Sequence, residues 1–160
     1  MATFEEELSR TGYLVYTNKG VSMMPLLRQD RDVMVIRAQK TGFQKNDAVL
    51  FKRGNGQYVL HRITKKLPDG KYFIIGDNCV SGETVPEGQI LGVLTQVRRD
   101  GKTVNITDHG YKLYIHTVPA RRVLLKAKTA VRTGAVHFVN NRLPTPVKKK
   151  LKTVYHAIRK

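Results

Sequence analysis

Ser22 stands in the run Asn18-Lys19-Gly20-Val21-Ser22-Met23-Met24-Pro25-Leu26-Leu27, between a glycine two positions before it and a proline three positions after. The glycine permits an unusual backbone and close approach of another chain, and the proline fixes the path beyond. Downstream come His61, in Tyr58-Val59-Leu60-His61-Arg62-Ile63, and Asp77, in Tyr72-Phe73-Ile74-Ile75-Gly76-Asp77-Asn78. A serine hydroxyl is a poor nucleophile until an adjacent base takes its proton, and a carboxylate can orient that base and stabilise its cation. Serine, histidine and aspartate in this order therefore point to nucleophilic cleavage of an acyl bond. Each residue also has an ordinary reading. Ser22 could be a loop serine beside core methionines, His61 shares its face with Val59 and Ile63 by alternation, and Gly-Asp-Asn is a common turn. The combination carries the chemistry, not any one member.

Other chemistries find little support. Cys79 is the only cysteine, so no intrachain disulfide or cysteine-rich metal site can form. No His-x-x-x-His pair, carboxylate cluster, phosphate-binding loop or dinucleotide glycine pattern occurs. No metal and no cofactor is expected. His109, His116, His137 and His156 fall in or beside a basic tail without a paired acid, and read as surface residues.

The elements that must position Ser22, His61 and Asp77 are short and β-rich. Phe4 to Ser9 reads as an amphipathic helix ended by Gly12. Strands are expected at Asp32–Ala38, Asp47–Lys52, Tyr58–Lys65, Lys71–Ile75, Ile90–Arg99 and Thr103–Thr107. Gly54-Asn55-Gly56, Pro68-Asp69-Gly70 and Asp100-Gly101 are hairpin signals between them. The expected fold is mainly β: a compact antiparallel domain over residues 1–108, with a short N-terminal helix. Residues 109–160 form the expected basic helical tail. Within it a bend is expected at Pro119, a helix stop at Gly134, and a new start at Thr145-Pro146.

Here the residues resemble a known superfamily. Gly20-x-Ser22-Met23-x-Pro25-x-Leu27, Asp47-Ala48-Val49-Leu50-Phe51, Val59-Leu60-His61-Arg62-Ile63, Tyr72 to Asn78 and Ile90-Leu91-Gly92-Val93-Leu94 look like the successive boxes of the signal peptidase and LexA-type serine peptidases. They cover about half the chain, in order. His61-Arg62 resembles the endoplasmic-reticulum-type and archaeal branch, whose base is histidine rather than lysine. The resemblance implies Ser22 as nucleophile, His61 as general base and Asp77 as its acidic partner. It implies backbone groups at Gly20, Val21 and Met23 for substrate and oxyanion. Where such enzymes often carry a second acid after Gly-Asp-Asn, Glu83 is the nearest candidate. Asn46 and Gln29 stand where relatives often have a turn glycine.

Of 160 residues, 41% are hydrophobic, enough for one domain with an appendage. Net charge is +17. Gly110 to Lys160 holds thirteen Lys or Arg and no Asp or Glu, so an anionic partner is expected. Val147, Leu151, Val154, Tyr155 and Ile158 share a narrow apolar face, with Lys148, Lys149, Lys150 and Lys152 around it. That pattern suits a helix lying on an anionic membrane surface, the lysines at the headgroups. Nucleic acid would meet the same charge but not the apolar stripe. Met1 to Arg10 is acidic and has no apolar h-region, and no window reaches the roughly 18 apolar residues of a spanning helix. The expectation is a cytoplasmic endopeptidase, peripheral at the inner face of a membrane, that cleaves a leader or signal-like peptide. The competing readings are a non-catalytic DNA-binding regulator with a degenerate LexA-like domain, and a protein that only cleaves itself. Too few residues precede the first strand for a helix-turn-helix, and no Ala-Gly or Cys-Gly pair precedes Ser22.

Overall fold

Thr3 opens the first helix with a reciprocal cap: its hydroxyl accepts from the Glu6 N–H, and the Glu6 carboxylate accepts from the Thr3 N–H. This helix, α1 (Phe4–Thr11), ends at Gly12, whose φ of 79° is the left-handed stop that glycine adopts without a Cβ penalty. Eight strands follow in the computed structural model, which describes residues 2–142 and residue 145. They are β1 (Tyr13–Thr17), β2 (Val33–Ala38), β3 (Ala48–Lys52), β4 (Tyr58–Lys66), β5 (Tyr72–Ile75), β6 (Glu83–Val85), β7 (Ile90–Arg99) and β8 (Lys102–Asn105). They form one antiparallel sheet in the order β1-β2-β7-β3-β4-β5-β6, with β8 added to β7.

The six expected strands are present within a residue or so at most ends, and two more were not anticipated. β1 alternates exposed and buried residues so weakly that only Leu14 is buried. β6 has three residues and exists by pairing with β5. Both flank the path as its outermost strands, where pairing rather than an apolar pattern defines a strand.

The sheet separates two apolar clusters. Leu8, Leu14, Met23, Leu27, Met34, Ile36, Leu50, Leu60 and Leu94 belong to one. Phe43, Val49, Phe51, Ile63, Tyr72, Ile74, Val85 and Ile90 belong to the other. β3 and β4 feed both, so their residues are buried on either face and neighbouring side chains diverge.

The chain divides into two compact units, Met1–Arg122 and Val123–Lys160. The expected boundary after residue 108 is therefore too early. The helix α2 (His109–Arg142) begins within the first unit, where Tyr111 and Val118 are buried. α2 runs through both Pro119 and Gly134. A single glycine weakens a helix interior by only about 1 kcal/mol, too little to stop one. In the second unit Val123, Leu124 and Val131 are exposed. The expected helix from Thr145 onward, with Lys148, Lys149, Leu151, Lys152, Val154 and Ile158, lies outside the described residues apart from Thr145 itself. Among the described residues no helix is long and apolar enough to cross a membrane.

Candidate active site

Ser22 lies in the turn between β1 and β2, and that turn is braced through its carbonyls. Asn18 Nδ2 donates to the Gly20 carbonyl at 2.6 Å. Val21 O accepts from the Met24 N–H at 3.1 Å and from Asn78 Nδ2 at 3.2 Å. Ser22 O accepts from the Asn78 N–H at 2.7 Å, and Met23 O from the Leu27 N–H at 3.1 Å. Four successive carbonyls are thus committed to the protein. Met23 and Leu27 anchor the turn in the core, both essentially inaccessible.

His61 comes from the middle of β4, paired with Val49 of β3, and its ring lies 6.2 Å from that of Phe51. It meets the serine turn at Gly76. A Cβ placed on Gly76 would lie 2.7 Å from Ser22 O, 2.8 Å from Cys79 Sγ and 3.0 Å from His61 Nε2. Those three groups close around one glycine, and no side chain fits between them. Ser22 and His61 also line one cleft of about 480 Å³, with Gly20, Asn18, Lys19, Arg53 and Cys79. Phe4 from α1, Tyr16 from β1 and Tyr58 from β4 form its aromatic wall.

Two carboxylates were candidates to orient His61, and the pleat separates them. Asp77 is fully buried, and both its oxygens accept from Arg62, at 2.8 Å from Nε and 2.7 Å from Nη2. The Tyr114 hydroxyl donates to Asp77 at 2.8 Å, and the Arg122 guanidinium stands 3.6 Å away. His61 and Arg62 are consecutive on β4 and leave it on opposite faces, so the arginine takes the aspartate. The expected Asp77–His61 partnership gives way to an Asp77–Arg62 ion pair. On the other face Glu83 Oε1 lies 3.7 Å from His61 Nδ1. Arg53 holds the same carboxylate at 2.8 Å and 2.5 Å. His61 Nδ1 is buried without a hydrogen-bond partner among the described residues.

Burial holds His61 below the ordinary histidine range; Glu83 pulls it upward, and Arg53 opposes Glu83. The imidazole is therefore neutral at neutral pH, the form a base requires. Hydrogen bonding from Arg53 keeps Glu83 below its usual range, so it is ionised. Burial alone would depress Arg62, but Asp77 overrides it and raises the guanidinium above its ordinary value. Cys79 is the rival nucleophile in the cleft, and burial pushes its thiol up. It stays protonated, which disfavours attack through sulfur.

Of the three residues expected around the oxyanion, Gly20 lines the cleft, Val21 is exposed beside it, and Met23 belongs to the core. Asn46 has φ of 79°, as a turn-glycine position demands, while the other such site falls on Asp30, at 56°, rather than on Gln29. A second cleft of about 490 Å³, lined by Pro25, Leu26, Arg99 and Tyr114 among others, brings no base to a nucleophile. Among the described residues, no cluster of three or more His, Cys, Asp or Glu could hold a metal. The fold and site together define a small antiparallel β protein with a serine and a neutral histidine in one cleft. No protein-family model matches the chain, and no curated protein does.

Proposed function

We propose that the protein is a serine endopeptidase of the signal peptidase-like kind, cleaving a leader or signal-like peptide. The observation that supports this most is the convergence of the Ser22 turn and His61 Nε2 on Gly76 within one cleft. In this reading His61 Nε2 takes the Ser22 hydroxyl proton as Oγ attacks the peptide carbonyl. N–H groups of the turn, whose carbonyls are engaged elsewhere, face the developing oxyanion. His61 then gives its proton to the departing amine, and water releases the acyl group by the same route. Glu83 supplies the negative charge beside the imidazolium, while Asp77 holds the framework through Arg62.

The second part of the proposal is a site of action at an anionic membrane surface, on its cytoplasmic side. Exposed Val123, Leu124 and Val131 in α2 lie among Lys126, Lys128 and Arg132, and Lys148 to Lys152 follow in the sequence. Each basic side chain near such a surface contributes about 1 kcal/mol. Nucleic acid would meet the charge, but apolar side chains among the cations favour lipid.

The test is a digest of a proteome-derived peptide mixture by the intact protein, with anionic vesicles present, read by mass spectrometry. Cleavage at a recurring sequence, lost in Ser22→Ala, supports the reading. Cleavage that persists unchanged in Ser22→Ala, or no cleavage by the parent protein, ends it.

A further inference from the structure

Glu83 is shared between two groups that want the same oxygen. Oε1 lies 2.5 Å from Arg53 Nη2 and 3.7 Å from His61 Nδ1. The first is a charge-assisted hydrogen bond; the second is too long to be one. Arg53 also grips Oε2 through Nε at 2.8 Å, and its Nη1 donates to Gln57 Oε1 at 2.7 Å. The guanidinium is thus held on both sides, and it holds the carboxylate at two points. Among the described residues His61 Nδ1 has no hydrogen-bond partner, although the side chain is about nine-tenths buried. A base that uses Nε2 carries its proton on Nδ1, and a buried N–H without an acceptor is a costly arrangement. The Glu83 carboxylate, 3.7 Å away, is held by Arg53.

We propose that Arg53 is a positioning residue that divides the Glu83 carboxylate between itself and His61, and so governs whether the imidazole works with an orienting anion. The inference rests on the peptidase reading for its purpose, but the coupling among the three side chains can be measured without any substrate. Arg53 and His61 line the same cleft, and the Arg53 and Glu83 side chains are each about one-third exposed. A peptide bound in the cleft therefore meets the Arg53 side chain.

The sign of the effect follows from the charges around His61. Glu83 from β6 and Asp77 after β5 favour the imidazolium, and Arg53 from the β3–β4 turn and Arg122 from α2 oppose it. Cys79, also against Gly76, stays a neutral thiol. Removing the Arg53 cation deletes an opposing charge and releases Glu83 toward Nδ1, and both changes raise the proton affinity of His61.

The experiment is an NMR titration of the His61 ring in the full chain, for the parent, Arg53→Gln, Glu83→Gln and the double variant, with Arg53→Met as the neutral substitute should Arg53→Gln fail to fold. Arg53→Gln is expected to move the His61 midpoint up by at least roughly half a pH unit, and Glu83→Gln to move it down. In the Glu83→Gln background the Arg53 substitution should lose most of its effect, because the two act as one unit. A midpoint that does not move in Arg53→Gln overturns the proposal. So does an equal shift with and without Glu83, which would make Arg53 a remote charge only. If this coupling holds while the parent protein cleaves nothing, or Ser22→Ala cleaves as well as the parent, the peptidase reading falls and the positioning role of Arg53 stands.

Discussion

Glu83 Oε1 stands 3.7 Å from His61 Nδ1, whereas the Asp77 carboxylate is bound on both oxygens by Arg62. The two acids are six positions apart in the chain and serve opposite faces of β4. One is partly exposed beside a titratable ring. The other is sealed with a cation that never loses its charge. Removing each should therefore produce a different kind of failure.

Asp77→Asn should unfold the protein more readily than it slows it. The substitution leaves Arg62 as a buried cation whose compensation is gone, and breaking such a pair costs about 3–5 kcal/mol. Denaturant melts should show that loss. Glu83→Gln should leave the unfolding free energy within about 1 kcal/mol of the parent's, because the pair with Arg53 is partly exposed. It should slow peptide cleavage by about tenfold or more. The loss should stay below the roughly 10⁴-fold seen where a triad carboxylate is directly hydrogen-bonded to its histidine. If Asp77→Asn proves as stable as the parent yet inactive, the roles assigned to the two acids are reversed.

His61 has a further consequence for stability. Its folded-state proton affinity is lowered, chiefly by burial. Below the unfolded value of about 6.5 the unfolded chain takes up a proton that the folded chain resists. Stability should thus fall as pH drops from about 6.5 toward the lowered folded value, and His61→Gln should flatten that part of the curve. Activity should fall on the acid side in the same region, with its midpoint below rather than at the reference histidine value. A plateau of activity ending above pH 7 would contradict a depressed His61.

Gly76→Ala is the most local test of the site. The added methyl group would meet Ser22 O, Cys79 Sγ and His61 Nε2 at 2.7 to 3.0 Å, so the serine turn or the imidazole must move. A displacement of about 1 Å at a reacting pair costs on the order of 100-fold in rate. Turnover should fall by that much while circular dichroism keeps the β signature. Unimpaired turnover would mean that Ser22 and His61 do not act together at this glycine.

Much of this was legible in the sequence because it depends on local pattern. β2, β3, β4, β5 and β7 announce themselves by β-branched runs between turns, and Asp100-Gly101 takes positive φ at both residues. That Ser22 and His61 fall in one cleft could be read from residue type and order. The assignment of the acids could not. Alternation shows that His61 and Arg62 diverge, but which carboxylate reaches which face depends on how β6 and α2 return to the sheet. Tyr111 and Tyr114 carry no strand or motif signal that links them to Arg62 and Asp77; only the packing of α2 does. Arg53 was likewise hidden, since a cation beside a Gly-Asn-Gly turn reads as solvated until Glu83 is found beneath it.

The exposed stretch of α2 gives the last prediction. Leu124 and Val131 are 69% and 73% exposed, on a segment with Lys126, Lys128 and Arg132 and no acidic side chain from Gly110 onward. Lipid contact requires both features, because cations find the headgroups and apolar side chains enter the boundary beneath them. The intact protein should sediment with vesicles containing phosphatidylserine, and release as salt rises and the Debye length shortens from about 10 Å at 0.1 M. Leu124→Glu, combined with Leu151→Glu, should weaken sedimentation while every positive side chain remains. If the double variant binds vesicles as well as the parent, the attraction is purely electrostatic. A nucleic acid would then satisfy the segment equally, and the membrane proposal would lose the observation that favours it.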